Sequence, residues 1–186
     1  MIQRKIRKLP PRTVVLFEDE TDIRLFPPLR SAWSKRGEQA EVIISGSNAK
    51  AVLFGSINMR SGHRVFLVHE KATAEDFQTY LRYVRRRYRG WHIAMILDGD
   101  SCHTAESSKD FAKELGIELI PLPVRASKLN PMEKLWGDAK DARCANRQYK
   151  DLDDEVYQVV EYLETLSDNV ALIKSGILSD DFWIQW

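Results

Sequence analysis

The stretch TVVLFEDE at residues 13–20 decides the architecture that we predict for this chain. Its first five residues are β-branched or apolar, as is typical of a strand buried inside a sheet. Three acidic residues, Glu18, Asp19 and Glu20, follow at once. We therefore predict a buried strand over residues 13–17 that ends in acid, with Asp19 at its end.

The segments that follow predict a hairpin and a helix. Residues 51–58 and 63–69 have strand character, and the turn-like sequence MRSG separates them, so the first three major strands are expected to be antiparallel. Residues 21–39 contain two prolines and a glycine and predict an irregular excursion, followed by a loop or short strand over 41–45. A helix is predicted to begin at Thr73, with Asp76 as its capping partner, and to end near Gly90.

The second half of the chain alternates strands with helices. HIAMIL at residues 92–97 predicts a strand covered on both faces, which Asp98 and Gly99 end. A helix over 104–115, a strand over 117–121, a helix from Pro131 and a last helix over 152–166 follow. This order predicts an α/β fold of the ribonuclease H-like type, whose mixed sheet has three antiparallel strands and then parallel strands alternating with helices.

Composition gives no electrostatic case for nucleic acid over the chain as a whole. Lys and Arg number 28 against 27 Asp and Glu, so DNA binding would need local basic patches. One basic run lies in residues 82–89 and another in the segment 1–12, although such runs are more often solvated surface. Two cysteines are too few for a disulfide framework, and no apolar run approaches a membrane span. We expect a soluble protein of a reducing compartment.

Three carboxylates could converge in the predicted fold. Asp19 and Asp98 follow neighbouring strands, and Glu133 begins an adjacent helix. Carboxylate oxygens suit Mg²⁺ or Mn²⁺, and two such ions about 4 Å apart can assist an in-line displacement at phosphorus. The set therefore predicts a metal-dependent phosphoryl transfer site at Asp19, Asp98 and Glu133.

The same residues carry a resemblance to a known family. The motifs FEDE at 17–20, LDG at 97–99 and LNPMEKLW at 129–136 resemble those of the DDE transposases of the mariner-related insertion sequence 630 group, and thirty-four residues lie between Asp98 and Glu133, as in that family. Weaker matches are Trp33 with Gly37, His103, and the pair Asn146 and Arg147. The resemblance covers the chain from about Thr13 nearly to its end.

This resemblance implies an activity, a cofactor and partners. Asp19, Asp98 and Glu133 would bind two Mg²⁺ ions, for which Mn²⁺ could substitute, with Asp19 bridging both. The domain, residues 13–186 behind a basic N-terminal segment 1–12, would cut DNA at transposon ends and transfer the 3′-hydroxyl into target DNA, typically at TA sites. A homodimer in a synaptic complex, in the bacterial cytoplasm at the nucleoid, is expected.

The chain also departs from the family. Gly99 stands where the family often has Asn, and VRASK at 124–128 replaces the usual approach to the Leu-Asn-Pro motif. Only about twelve residues precede the first strand, whereas such transposases carry N-terminal helix-turn-helix modules. We therefore expect a catalytic part whose DNA-recognition module lies elsewhere: an excised domain, a truncated reading frame, or the second frame of an element.

Simpler interpretations of each residue remain open. Asn130, Pro131 and Glu133 could form a helix cap, and Asp98 before Gly99 could be turn chemistry, with Asp100 as a rival ligand. His103 could be a general base or an orienting residue, whereas Trp33 and Trp136 are interpreted as packing residues. Six basic residues are candidates for phosphate contacts: Arg85, Arg86, Lys134, Lys140, Arg143 and Arg147. Alternative functions are a ribonuclease H-like nuclease without strand transfer and a non-catalytic, domesticated or truncated remnant.

Overall fold

The computed structural model describes residues 2–184 and has a five-stranded sheet at its centre. The strands are β1 (Thr13–Arg24), β2 (Lys50–Asn58), β3 (Arg64–His69), β4 (His92–Leu97) and β5 (Ile117–Pro121). Their spatial order is β3-β2-β1-β4-β5; β1, β2 and β3 are antiparallel, whereas β4 and β5 run parallel to β1. This topology confirms the predicted mixed sheet.

Helices cover both faces of the sheet. They are α1 (Ile2–Ile6), α2 (Ala74–Arg87), α3 (Ser101–Thr104), α4 (Glu106–Glu114), α5 (Pro131–Arg143), α6 (Leu152–Thr165) and α7 (Asp168–Lys174). On one face, α2, α3 and α4 pack against every second strand residue, such as Leu16. On the other face, α1, α5, α6 and α7 pack against the strand residues in between, such as Phe17. Successive side chains of β1 therefore belong to opposite cores.

The predicted end of the first strand is wrong. Parallel pairing with β4 stops where Phe17 faces Ile96, but antiparallel pairing with β2 continues to Arg24. Asp19 consequently lies in the middle of β1, opposite Gly55. The acidic residues are accommodated within a strand because β1 loses its neighbour on one side, which leaves an opening beside β4.

Other segment boundaries also differ from the prediction. The segment 25–49 contains neither helix nor strand, and Trp33 within it is fully exposed rather than packed. The helix predicted over 104–115 is divided into α3 and α4, because Ala105 has extended backbone angles of φ −55° and ψ 135°. Asp100 caps the start of α3 by accepting from the backbone N–H of Cys102. Helices α1 and α7 were not anticipated, and in residues 2–184 no helix is long and apolar enough to cross a membrane.

Candidate active site

Asp19 is a nearly buried carboxyl group on the face of β1 that packs against α5. Only 8% of the residue is exposed, and its Oδ2 accepts a hydrogen bond from Nε1 of Trp136 at 3.1 Å. Burial is the largest cause that raises the pKa of Asp19 to about 8. Four nearby carboxylates add to the rise: Glu18, Glu20, Glu133 and Asp98. The site therefore concentrates acidic groups around Asp19, and within residues 2–184 no ion pair is formed by its carboxyl group.

Gly55 makes room for the indole that orients Asp19. It lies opposite Asp19 in β2, and a Cβ at this position would lie 2.4 Å from Cη2 of Trp136. Since real Cβ atoms do not approach other carbon atoms so closely, Trp136 can occupy this place only over a glycine. Trp136 packs in the core as predicted, and it also donates to a candidate site residue, which its position three residues after Glu133 on one helix could have suggested.

Asp98 lies directly after β4, level with Asp19 in the parallel register. Phe17 pairs with Ile96, and each site carboxylate comes two residues later in its own strand. The Oδ1 of Asp98 accepts from Nδ1 of His103 at 3.0 Å and from the backbone N–H of Asp100 at 2.9 Å. The hydrogen bond from His103 is the main cause that lowers the pKa of Asp98. The interpretation of Asp98 as a turn residue agrees with its hydrogen bond from the backbone of Asp100. Its carboxylate has a second partner, however, in the buried side chain of His103.

Glu133 lies in the first turn of α5 and is exposed. The buried Asn130 caps this helix, because its Oδ1 accepts from the N–H of Met132 while its Nδ2 donates to the carbonyl of Glu18 at 2.7 Å. The start of α5 is thereby tied to β1 one residue from Asp19. The helix-cap interpretation is confirmed for Asn130, but within residues 2–184 the Glu133 carboxylate accepts no hydrogen bond from the backbone N–H of Asn130. Its carboxylate remains available to a ligand.

A second group of acidic residues surrounds His103 on the other face of β1. His103 is 1% exposed, and its Nε2 lies 3.2 Å from Oε2 of Glu18 and 3.3 Å from Oε2 of Glu20. These two contacts are ion pairs whose angles fall outside hydrogen-bond geometry. We name Glu18, Glu20 and His103 the histidine cluster. The sequence contained its signal, since residues 18 and 20 of a strand face away from residue 19.

Burial and charge together raise the pKa values of both His103 and Glu18 in the histidine cluster. Burial disfavours the charged imidazole, but the charge of Glu18 and the hydrogen bond to Asp98 outweigh it and raise the pKa of His103 above its usual range. Burial also raises the pKa of Glu18, against the lowering influence of His103. Both shifts agree with a cationic His103 whose single positive charge lies beside three carboxyl groups, those of Glu18, Glu20 and Asp98.

Four of the six candidate DNA-binding residues lie on or just after α5. Lys140 is half-buried, and its Nζ donates to Oγ1 of Thr21 at 2.6 Å, on the same face of β1 as Asp19. Burial lowers the pKa of Lys140. Lys134 is exposed beside Glu133, whereas the guanidinium groups of Arg143 and Arg147 each lie over a tyrosine ring, at 5.0 and 5.9 Å.

The other two candidates are not brought to the carboxylates. Arg85 and Arg86 belong to α2, on the opposite face of the sheet. Arg85 donates to the carbonyl oxygens of Tyr88 and Trp91, and Trp91 immediately precedes β4. Because Asp98 follows the other end of β4, roughly 20 Å of strand separates the two positions. Arg85 therefore makes backbone contacts away from the carboxylates, and its role as a DNA contact stays a prediction.

Comparison with known proteins agrees with this geometry. Residues 14–154 match the model of a family described as DDE superfamily endonuclease. An IS630 insertion element protein of 39 kDa from Shigella sonnei is 28% identical over 155 residues, which are 82% of this chain and 45% of that protein. The Tc3 transposase of Caenorhabditis elegans is 26% identical over 132 residues, which are 66% of this chain and 40% of that protein.

Solved structures of the Mos1 mariner transposase show the same fold. In its paired-end complex with Mg, the TM-score is 0.73 at 17% identity, over 94% of this chain and 55% of that one. Together with the strand order, this similarity confirms the predicted ribonuclease H-like fold. The chain thus spans about half the length of the IS630 protein and of the Mos1 transposase in that complex. By its sequence match over residues 14–154, the chain belongs to the DDE superfamily endonucleases.

Proposed function

We propose that this chain is the catalytic domain of a transposase that cuts DNA at transposon ends and transfers the freed 3′-hydroxyl to target DNA. The observation that carries the proposal is the grouping of the three acids: Asp98 lies level with Asp19 in the sheet, and Asn130 ties the start of the helix that carries Glu133 to β1. Burial, and then the nearby carboxylates, raise the pKa of Asp19 to about 8. An acid this strongly disfavoured in its ionised form is suited to a ligand that supplies positive charge. The named relatives include transposases of mobile elements.

The donor set of this site fits hard divalent cations. Asp19, Asp98 and Glu133 offer only oxygen atoms, which Mg²⁺ and Mn²⁺ prefer. We propose that the three would hold two such ions. When bound, the ions would supply charge stabilisation for the phosphate and activation of the attacking water or 3′-hydroxyl.

The remaining residues of the site position its acids. Trp136 holds one oxygen of Asp19, Asn130 fixes the start of α5 against β1, and His103 holds Asp98. The proposal needs no protein nucleophile, since water or a DNA end serves as the attacking group. The chain therefore contributes orientation and electrostatics, the main requirements of phosphoryl transfer.

The partners that we propose are DNA and a second copy of the chain. Lys134, Lys140, Arg143 and Arg147 lie on the side of the sheet where α5 presents Glu133, so they are the candidates for phosphate contacts. We propose transposon ends and TA-containing target DNA as substrates, a synaptic homodimer, a separate helix-turn-helix module for recognition, and action in the cytoplasm at the nucleoid.

Nicking of supercoiled DNA in Mg²⁺ or Mn²⁺ tests this proposal. Asp98→Asn and Glu133→Gln should each lower the nicking rate by at least about a hundredfold, equivalent to about 3 kcal/mol of transition-state stabilisation. Glu114→Gln, at an exposed acid at the end of α4, is the matched control and should nick like wild type. Metal-dependent nicking that survives both site variants would contradict the proposed active site.

Two further assays separate the alternatives. Joining of a supplied 3′-hydroxyl end to target DNA distinguishes a transposase from a nuclease that only cuts. Absence of nicking, together with divalent metal binding that is indifferent to Asp19→Asn, would favour a non-catalytic remnant.

A further inference from the structure

We propose that His103 is a positioning residue that fixes the carboxylate of Asp98 through Nδ1, and that Glu18 and Glu20 hold its imidazole from the far face of β1. The inference rests on the proposed function, because it assigns a purpose to the histidine cluster within the same site. It gives a role to buried acids that the three-carboxylate site leaves unused.

The position of Asp98 explains why it needs support. It lies just beyond the last residue of β4, and about a third of its side chain is exposed, so sheet hydrogen bonds do not hold it. Its Oδ1 has two donors, the backbone N–H of Asp100 and Nδ1 of His103. Of these two, only His103 belongs to the packed interior, which makes it the link between Asp98 and the rigid core.

His103 is not placed to act on DNA itself. Its ring is 1% exposed and packs edge-on against Phe77 at 4.6 Å between ring centres. A general base must reach the proton that it abstracts, and this imidazole is enclosed by Phe77, Glu18 and Glu20. Its effect on the reaction must pass through Asp98.

The two glutamates place negative charge beside the nitrogen of the imidazole that lies away from Asp98. Nε2 faces carboxylate oxygens of Glu18 and Glu20 at 3.2 and 3.3 Å, and Nδ1 faces one of Asp98 at 3.0 Å. Carboxylate charge faces Nε2 without hydrogen-bond geometry, whereas Nδ1 has a hydrogen-bond acceptor in Oδ1 of Asp98. Nδ1 is therefore held as a donor towards Asp98, as carboxylate partners hold the rings of metal-binding histidines in place.

The histidine cluster also couples two of the site carboxylates. Glu18 and Glu20 flank Asp19 in β1, and their side chains point to the opposite face. One strand thus carries Asp19 towards α5 and holds, through His103, the position of Asp98. A shift of β1 would move both carboxylates together, which preserves the spacing between them.

Two substitutions of His103 separate its two nitrogens. His103→Asn retains an N–H close to the position of Nδ1, whereas His103→Gln retains one close to Nε2 and withdraws the donor from Asp98. We expect the glutamine variant to bind Mn²⁺ about 10- to 100-fold more weakly, and the asparagine variant to remain within about threefold of wild type. Mn²⁺ affinity is read by electron paramagnetic resonance, and by the Mn²⁺ concentration that gives half-maximal nicking.

Stability controls exclude a merely structural role. The unfolding temperature measured without metal should fall by a similar amount in both histidine variants, because both lose the packing of the imidazole. Phe77→Leu, which removes the ring packed against His103, should lower stability without changing Mn²⁺ affinity. Equal Mn²⁺ affinities in the asparagine and glutamine variants, or losses that follow thermal stability across all three variants, would overturn the proposal.

A double-mutant cycle tests the inference if the histidine variants do not fold. Glu20→Gln should weaken Mn²⁺ binding about threefold, and this effect should disappear in an Asp98→Asn background, because the two groups act through one hydrogen bond. A full effect in that background would contradict coupling through Asp98. If Asp98→Asn bound Mn²⁺ as strongly as the wild-type chain, the proposed function itself would be refuted. The failure of the inference and the failure of the proposed function are therefore distinguishable.

Discussion

The acidic residues on the two faces of β1 have different partners. On the α5 face, Asp19 has one neutral donor, Trp136, and its pKa is raised to about 8. On the α3 face, Glu18 and Glu20 are fully or largely buried but share the imidazole of His103. The first face leaves its negative charge for a ligand to balance, and the second balances much of its charge internally.

This difference explains how neighbouring residues of one strand serve different purposes. Buried charge is tolerated where a counter-charge lies within the fold, and it costs stability where none does. The acid on the α5 face is therefore expected to lower the stability of the metal-free protein, whereas the histidine cluster should support the fold. Substitution of Asp19 and substitution of His103 should therefore change stability in opposite directions.

The largest expected effect comes from removing the counter-charge of the histidine cluster. His103→Leu leaves Glu18 and Glu20 buried without a cation and should lower the free energy of unfolding by about 4 kcal/mol. Chemical denaturation at pH 7 measures it. His92→Leu, at an exposed histidine that begins β4, is the control and should change stability little. A change of similar size in both variants would remove the distinction between the two faces.

A stabilising substitution is expected on the opposite face. The pKa of Asp19 is about 8 in the fold against its usual 3.8. Between pH 4 and pH 8 the unfolded chain therefore loses this proton while the folded chain keeps it, and the free energy of unfolding falls as the pH rises. Asp19→Asn should therefore stabilise the metal-free protein by a few kcal/mol at pH 8 and hardly at all at pH 4. Denaturation at both pH values checks the sign, and a destabilised variant at pH 8 would contradict the account.

Added metal should make the wild-type chain more stable than the Asp19→Asn variant at pH 8. Mg²⁺ or Mn²⁺ should raise the unfolding temperature of the wild-type chain at pH 8, because a ligand that binds only the folded state stabilises it. The Asp19→Asn variant should show little of this rise.

Gly55→Ala should disturb the α5 face alone. A methyl group there collides with the indole of Trp136 and should displace the hydrogen bond to Asp19, at a cost of about 2 kcal/mol in stability. Gly137→Ala in α5 is the matched control, because a Cβ at Gly137 meets no atom within 4 Å. A crystal structure of the Gly55→Ala variant should show the indole of Trp136 displaced. An indole in its original place, with unchanged stability, would refute this part of the account.

How far the sequence predicts this molecule depends on the range of the interactions involved. Strand and helix identities followed from local apolar spacing, and Thr73 with Asp76 formed the expected capping box. The length of β1 did not follow, because it depends on β2 continuing to pair after β4 stops. Local sequence contains no information on where a neighbouring strand ends.

The candidate site shows the same limit. Asp19, Asp98 and Glu133 were identified from motifs and spacing, but the histidine cluster was not predicted as a unit, since Glu18 and His103 meet only after the sheet and α3 form. Gly55 had no visible role until Trp136 was placed above it. Arg85 and Arg86 were chosen for charge alone, which could not show that α2 lies away from α5.

The smallest expected effect concerns the basic residues. Lys140→Met should weaken binding to non-specific DNA modestly and lower the slope of log affinity against log salt by about 1, as expected for the loss of one phosphate contact. Arg86→Met, at an exposed arginine on the far face, is the matched control and should leave the slope unchanged. Fluorescence anisotropy over a series of salt concentrations gives both slopes. Equal reductions would contradict a DNA surface confined to the α5 side.

The central claim is that Asp19, Asp98 and Glu133 together hold divalent cations, and Mn²⁺ titration followed by electron paramagnetic resonance tests it most directly. We predict up to two Mn²⁺ ions bound per wild-type chain, as expected of a two-metal site. Binding should be lost in Asp19→Asn, weakened in Asp98→Asn and Glu133→Gln, and unchanged in Glu114→Gln. Mn²⁺ binding of wild-type strength in the Asp19→Asn variant would contradict the account.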